Sequence, residues 1–358
     1  MTESDTQRAL SEVLGSIAPP DEAARRAALE HQLRLTKPPG SLGRLEVLGA
    51  QLAAISGRMP PAVPERPAVA VFAGDHGVVA SGVTPWPQEV TAQMVANFCA
   101  GGAAVNVLAR RVGASMMVVD VGVAGVLPSD PMLCNDKVRP GTDDLALGPA
   151  MSREEARLAV LVGVRAACSL VDGGADLLVG GDMGIGNTTP SAAIIAAITG
   201  RSAPEVTGRG TGIDDDMLAL KTSVVAAAVD RLPAGTDAIG VLAELGGLEI
   251  AALCGFYLGA ASRRVPVVVD GVIALAGALV AVALAPAAHG FLVAGHRSTE
   301  PAAALALDHL GLRAVLDLEL RLGEGSGAVL AVPIVQAAAA ILAEMATFGS
   351  AGVTELDD

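Results

Sequence analysis

Between Ala175 and Ile195 an apolar run, a glycine-rich turn and a helix start follow one another without interruption, an order that leaves few folds open. Residues 175–180 read as a short buried strand, and residues 181–187 as the loop after it. Glycines at 181, 184 and 186 let that loop turn tightly and approach a ligand with no Cβ in the way. Thr188 or Thr189 suits the N-cap of the next helix, Pro190 its first position, and residues 191–198 continue it. Free N–H groups at such a start favour an anion, which makes Asp182, Gly184, Ile185, Gly186, Asn187 and Thr188 candidate phosphate ligands. A tight strand-to-helix turn in any parallel sheet would carry the same glycines, so on these residues alone both readings stand.

The same alternation recurs along the chain. Short apolar runs at 68–73, 116–120, 176–180, 266–270 and 290–294 read as strands, with a weaker one at 314–317, and helical stretches lie between most of them. Continuous apolar strands separated by Ala-rich helices specify a parallel sheet covered on both faces, with ligands bound beyond the carboxyl ends of the strands. Ahead of it, 22–35 and 43–55 read as two helices parted by Lys37, Pro38, Pro39 and Gly40. Prolines at 60, 61, 64 and 67 then form a linker. A long helix from 328 to 345 follows the last strand and is expected to pack on the N-terminal pair. The expected architecture is therefore α/β, a Rossmann-like parallel sheet over residues 61–327 with a small helical domain from 1–60 and 328–358.

Hydrophobic residues make up 52% of the chain but aromatics only 2%, so the core has to be built from Ala, Val, Leu and Ile on closely packed elements. A net charge of −14 speaks against a nucleic-acid surface, which needs clustered Lys and Arg. The uncharged run 271–288 would barely span a bilayer, is mostly Ala, Val and Gly, is broken by Pro286 and lacks an aromatic belt, and so reads as a buried helix rather than a membrane segment. The first ten residues carry Glu3, Asp5 and Arg8 and do not form a signal peptide, so a cytoplasmic protein is expected. Cys99, Cys134, Cys168 and Cys254 are scattered and indicate neither a zinc site nor a disulfide framework.

Three further loops carry chemistry. After the first strand come Asp75 and His76 in a glycine turn, then Val83, the single tryptophan Trp86 between two prolines, and Gln88. A flat base could lie against Trp86 or Val83, with Gln88 bonding a ring nitrogen, or Trp86 could simply close a helix entry. His76 could be a base or half of a turn-fixing pair with Asp75. A second glycine turn, 208–212, contains Gly210 and leads into Asp214, Asp215 and Asp216, which suit a helix start better than a metal. Lys221, one to two turns on, is either a phosphate partner or an exposed surface lysine. Last, Arg321-Leu-Gly-Glu-Gly-Ser-Gly327 sets Glu324 among glycines, where it gains nothing from helix propensity. In an apolar cleft its pKa would rise toward that of a general base; on a surface it would be a plain turn residue.

Together these stretches resemble the nicotinate-nucleotide:dimethylbenzimidazole phosphoribosyltransferase family, CobT. The resemblance runs through Lys37-Pro-Pro-Gly-Ser-Leu-Gly-Arg-Leu-Glu46, Gly74-Asp-His-Gly77, Pro85-Trp-Pro-Gln-Glu-Val-Thr91, Gly184-Ile-Gly-Asn-Thr-Thr189, Gly208-Arg-Gly-Thr-Gly212, Gly246-Gly-Leu-Glu249 and Leu322-Gly-Glu-Gly-Ser-Gly327. It implies transfer of phosphoribose from nicotinate mononucleotide to 5,6-dimethylbenzimidazole, giving α-ribazole 5′-phosphate and nicotinate in cobalamin nucleotide-loop assembly. It further implies Glu324 as catalytic base, phosphate contacts from the Gly184 turn and Lys221, and a base pocket at the Gln88 loop extended by Leu322 and Gly323. A homodimer without cofactor or metal is implied as well. Asp182 departs from the pattern, since some members carry Glu there. The chemistry is consistent, because nicotinate leaves from a cationic N-glycoside and needs neither an acid nor magnesium. On the residues themselves, another glycosyl transferase or phosphorylase, or a non-catalytic nucleotide-binding subunit, remains open, although the last would have no use for Glu324.

Overall fold

The computed structural model describes residues 3–354; the first two and last four residues, which belong to the expected helical domain, lie outside it. In chain order the elements are α1 (Glu3–Ser16), α2 (Glu22–Gln32), α3 (Arg44–Ser56), β1 (Pro67–Gly74), α4 (Glu89–Cys99), α5 (Ala104–Arg111), β2 (Ser115–Gly122), β3 (Leu133–Asn135) and α6 (Arg153–Asp172). They continue with β4 (Leu177–Met183), α7 (Thr188–Thr199), α8 (Ala203–Val206), α9 (Asp215–Asp230), α10 (Ala238–Leu245), α11 (Leu248–Ser262) and β5 (Val267–Val269). The last are α12 (Val272–Leu284), β6 (Leu292–Ala294), α13 (Pro301–Leu310), α14 (Ser326–Glu344) and α15 (Phe348–Ala351).

All strand pairs are parallel, in the order β3-β2-β1-β4-β5-β6. The order reverses between β1 and β4, which opens a crevice beyond their carboxyl ends. Both faces are covered, as the unbroken apolar strands require. Ala68, Ala70 and Phe72 of β1 point into the core shared with α6, α7, α11 and α12, while Val69, Val71 and Ala73 point into the one formed with α3, α5 and α14. With few aromatics, the helices close up through small residues. A Cβ at Gly163 of α6 would overlap the Ala252 carbonyl of α11, and one at Gly255 the carbonyl of Val160.

The uncharged run 271–288 forms α12 up to Leu284 and a turn of 3-10 helix from Pro286, and residues Val272 to Ala281 of α12 are buried in the core. By length and composition the 89–111 stretch and α14 could each span a bilayer, but the first is interrupted between α4 and α5, and most of α14's apolar window is buried in protein. The Lys37–Glu46 motif shapes the α2–α3 junction. Lys37 Nζ donates to Glu46 Oε1 at 2.7 Å, the Leu42 N–H donates to the same oxygen, and Arg44 donates to the Arg313 carbonyl.

Several elements differ from the sequence expectation. Residues 314–317 form no strand and make only an isolated bridge, Leu316 to His296, while β3 was not expected at all. Strand β4 runs on through Gly181, Asp182 and Met183. Helix α7 begins at Thr188 with Asn187 as its cap, so Pro190 is its third residue rather than its first. The first of the two expected N-terminal helices stops at Gln32, and Leu35 instead bridges Thr347. α2 and α3 pack with α14 as expected, but α1 crosses to the sheet's other side and packs on α6 and α11.

Candidate active site

A cavity of about 420 Å³ lies over the carboxyl ends of the strands, at the reversal point of the sheet. β4 and its turn contribute Asp182, Met183, Gly184, Ile185, Asn187 and Thr188 to its walls. The segments after β5 and β6 contribute Ile273, His296, Ser298 and Glu300, and the 321–324 loop and Gly210 complete them. A larger surface cleft of about 570 Å³, beside α13 and residues 312–317, is lined by none of these residues.

Lys221 is 2% exposed, so the surface reading of this residue fails. Its Nζ donates to Thr188 Oγ1 at 2.7 Å and to the Gly208 carbonyl at 3.1 Å, tying α9 to the start of α7 and to the 208–212 turn. Burial drives its pKa from 10.5 to about 8, against the pull of the Glu300 carboxylate. Glu300 in turn accepts the Gly210 N–H at 2.9 Å, and Arg321 holds the Gly210 carbonyl at 2.8 Å. Asp214 caps α9 by accepting the Met217 N–H, and Asp215 pairs with Arg209, so the three aspartates serve a helix start. Among the described residues no group of three or more His, Cys, Asp or Glu is placed to hold a metal.

Glu324 lines the cavity from the 321–324 loop. It takes a left-handed backbone, φ 64°, between Gly323 and Gly325, a conformation that costs any residue with a Cβ about 1 kcal/mol or more. The loop is pressed onto β4, where a Cβ at Gly181 would overlap the Glu324 carbonyl oxygen. The carboxylate is 6% exposed and accepts the Val105 N–H at 3.3 Å. Burial raises its pKa, the Val105 hydrogen bond opposes the rise and Asp270 adds to it. Asp182 is raised further, first by burial and then by Asp270 and Glu249, although Asn187 Nδ2 donates to its Oδ2 at 3.0 Å.

The expected base-contact residues do not all gather here. Trp86, Leu322 and Gly323 line the cavity. Val83 is 2% exposed and packs in the core, and Gln88 lines a separate groove with Asp75, Glu89 and Gln93. Helix phase explains the separation: Val90 and Met94 of α4 face the cavity one turn apart, while Gln88 and Ala92, two residues out of step, face the other way. Trp86, Val90 and Met94 thus form the apolar wall. Sequence reading missed Val90 and Met94, whose i, i+4 spacing after Trp86 was the available signal. It also missed His296, Ser298 and Glu300, which line the cavity beyond β6, and Asp270, which lies behind it just after β5. Asp270 accepts the Ala328 N–H at 2.8 Å, and His296 Nε2 stands 3.2 Å from the same oxygen without hydrogen-bond alignment.

A buried carboxylate and an apolar wall in one cavity, with a buried amine bonded to the Thr188 hydroxyl of its lining, suit an enzyme that grips a phosphorylated group while a flat ring reacts. A family model described as "Phosphoribosyltransferase" matches residues 17–353. A nicotinate-nucleotide--dimethylbenzimidazole phosphoribosyltransferase from Salinispora tropica is 54% identical over 361 residues, covering 97% of this chain and 99% of that protein. One of the same name from Chloroflexus aurantiacus is 55% identical over 343 residues, covering 96% and 97%. The crystal structure of the enzyme so named from Thermus thermophilus superposes with a TM-score of 0.90 at 49% identity, covering 94% of this chain and 100% of that one. The chain belongs to the nicotinate-nucleotide--dimethylbenzimidazole phosphoribosyltransferase family and is a glycosyltransferase.

Proposed function

We propose that this enzyme transfers 5-phosphoribose from nicotinate mononucleotide to a ring nitrogen of 5,6-dimethylbenzimidazole, giving α-ribazole 5′-phosphate and nicotinate for the nucleotide loop of cobalamin. The observation that carries the residue roles is a cavity lined both by a buried carboxylate with raised pKa, Glu324, and by Thr188, whose hydroxyl accepts a hydrogen bond from the buried Lys221 amine behind it. The phosphate is held by Lys221, the Thr188 hydroxyl and the 184–187 turn, with Gly210 beside them. Dimethylbenzimidazole lies against Trp86, Val90, Met94 and Leu322. Its lone-pair nitrogen attacks the anomeric carbon from the face opposite nicotinate, so the configuration inverts. The new C–N bond forms as the bond to the pyridinium nitrogen breaks, and nicotinate leaves with that electron pair and no added proton. The proton on the acceptor's other ring nitrogen passes to Glu324, whose raised pKa suits it to accept.

This reading includes action as a homodimer in the cytoplasm without a cofactor. Leu29 and Val47 on α2 and α3, and Leu33 just past α2, expose apolar surface that a second copy could cover, and light scattering on the purified protein tests the oligomer. The activity is tested by mixing enzyme, nicotinate mononucleotide and a panel of azoles and following nicotinate release. Release only with dimethylbenzimidazole and close analogues supports the assignment. Release driven by inorganic phosphate alone would instead indicate a phosphorylase.

A further inference from the structure

Behind the 184–187 turn lies an ion pair with no part in the contacts proposed above. His76 follows β1 and Glu249 lies in the first turn of α11; Nε2 and Oε1 are 2.7 Å apart, and neither residue exposes more than 1% of its surface. The imidazole packs directly on the turn, since a Cβ at Gly184 would stand 3.0 Å from Nε2 and 3.2 Å from Cδ2. A Cβ at Gly247 would overlap the other side of the ring, and one at Gly74 would lie 3.0 Å from Glu249 Oε2. Glycine at these three places lets the pair fill the space beneath the turn.

Its charge balance matters as much as its shape. Burial lowers the His76 pKa, but the Glu249 and Asp75 carboxylates outweigh it and hold the ring above its ordinary value, which favours the protonated form. The charged groups around the ring are Asp75 on its own segment, Glu249 on α11 and, across Glu249, Asp182 at the end of β4. Glu249 Oε2 has no hydrogen-bond partner, so the His76 ring, 2.7 Å from Oε1, is the group placed to compensate this carboxylate. Without it, an unpaired buried negative charge would stand behind the turn proposed to receive a phosphate dianion.

We propose that the His76–Glu249 pair is a positioning element for the phosphate: it props the 184–187 turn from beneath and cancels the Glu249 charge that would oppose the bound dianion. This rests on assigning that turn and Lys221 to the phosphate. It predicts that the two residues compensate each other, because a neutral pair of similar shape restores the charge balance that a single replacement destroys.

The test uses the intact enzyme, with dissociation constants for nicotinate mononucleotide and dimethylbenzimidazole measured by calorimetry. His76→Gln keeps a donor near Nε2 but removes the cation, and should weaken the mononucleotide by about tenfold or more with little effect on the benzimidazole. His76→Gln/Glu249→Gln should recover the mononucleotide to within about threefold of wild type. Equal weakening of both ligands by His76→Gln, or a double variant weaker than that single one, would show a packing role alone and overturn the proposal. Lys221→Met separates it from the reading beneath it. If that variant binds the mononucleotide normally, the phosphate assignment fails; if it weakens binding while His76→Gln does not, only the role of the pair fails. Should the variants not fold, 15N chemical shifts of His76 in the wild-type enzyme at pH 7 decide: a doubly protonated ring is expected, and a neutral ring overturns the proposal.

Discussion

Replacing Lys221 by Met keeps most of the aliphatic stem that packs beneath the cavity and removes only the amine. The fall of its pKa from 10.5 to about 8 means that the fold disfavours the charged amine by about 3 kcal/mol relative to the unfolded chain, although the amine is still mostly protonated at pH 7. Because the folded value lies below the unfolded one, the charge destabilises the protein below pH about 8, and the penalty fades as pH rises toward 10.5. The bonds to Thr188 and Gly208 offset part of that, at about 0.5–1.5 kcal/mol each. The Met variant should therefore unfold at the wild-type temperature or slightly above it at pH 7. Its affinity for nicotinate mononucleotide should nevertheless fall about ten- to a hundredfold, since a hydrogen bond to a charged group contributes about 1.5–3 kcal/mol. Dimethylbenzimidazole, which has no phosphate, should bind as before. In the wild type, mononucleotide binding should weaken as pH rises past about 8 and the amine of the free enzyme loses its proton, and the Met variant should lack that break. Calorimetry with each substrate across this pH range, with thermal unfolding alongside, measures all of this. Parallel loss of both affinities, or a melting temperature that falls with affinity, would mean that Lys221 is a structural tie and not a phosphate ligand.

Glu324→Gln should lower the single-turnover rate by about 10²–10⁴-fold with both dissociation constants preserved, and a rate within about threefold of wild type would move the base elsewhere. Since burial raises the Glu324 pKa, the acid limb of the wild-type rate profile should sit above the ordinary carboxylate range and disappear in that variant. Gly181→Ala forces a methyl group into the Glu324 carbonyl and should cost about 1–3 kcal/mol of stability together with turnover; unchanged melting and rate would show that the loop has room to move. Trp86→Ala should weaken dimethylbenzimidazole by about three- to tenfold in calorimetry, the scale of one aromatic contact, and spare the mononucleotide.

The strands at the centre of the sheet were legible because a buried parallel strand must be apolar on both faces, and β1, β2 and β4 are long enough to show it. β3 has only three residues, and its apolar run of Met132, Leu133 and Cys134 is too short to read as a strand. Residues 314–317 read locally as a weak strand, yet they lie beside the edge strand and make a single bridge. Gly181 shows how the same residue type serves two ends. Read locally it belongs to a turn, whereas in the fold it is strand, bare so that the Glu324 loop can press against it.

The glycine turns and Glu324 were readable for a related reason: glycines around a carboxylate have little to do with helix or strand propensity, so their presence is a local signal of a special backbone. What the sequence could not determine was company. That Lys221 is buried against Thr188, that Met94 and not Gln88 faces the cavity, and that Ile273, His296 and Glu300 join a site begun by β4 all depend on helix phase and strand order. Backbone conformation is decided within a few residues of chain. Which side chains share a cavity is decided by the parallel sheet, which brings the carboxyl ends of strands far apart in sequence to one edge.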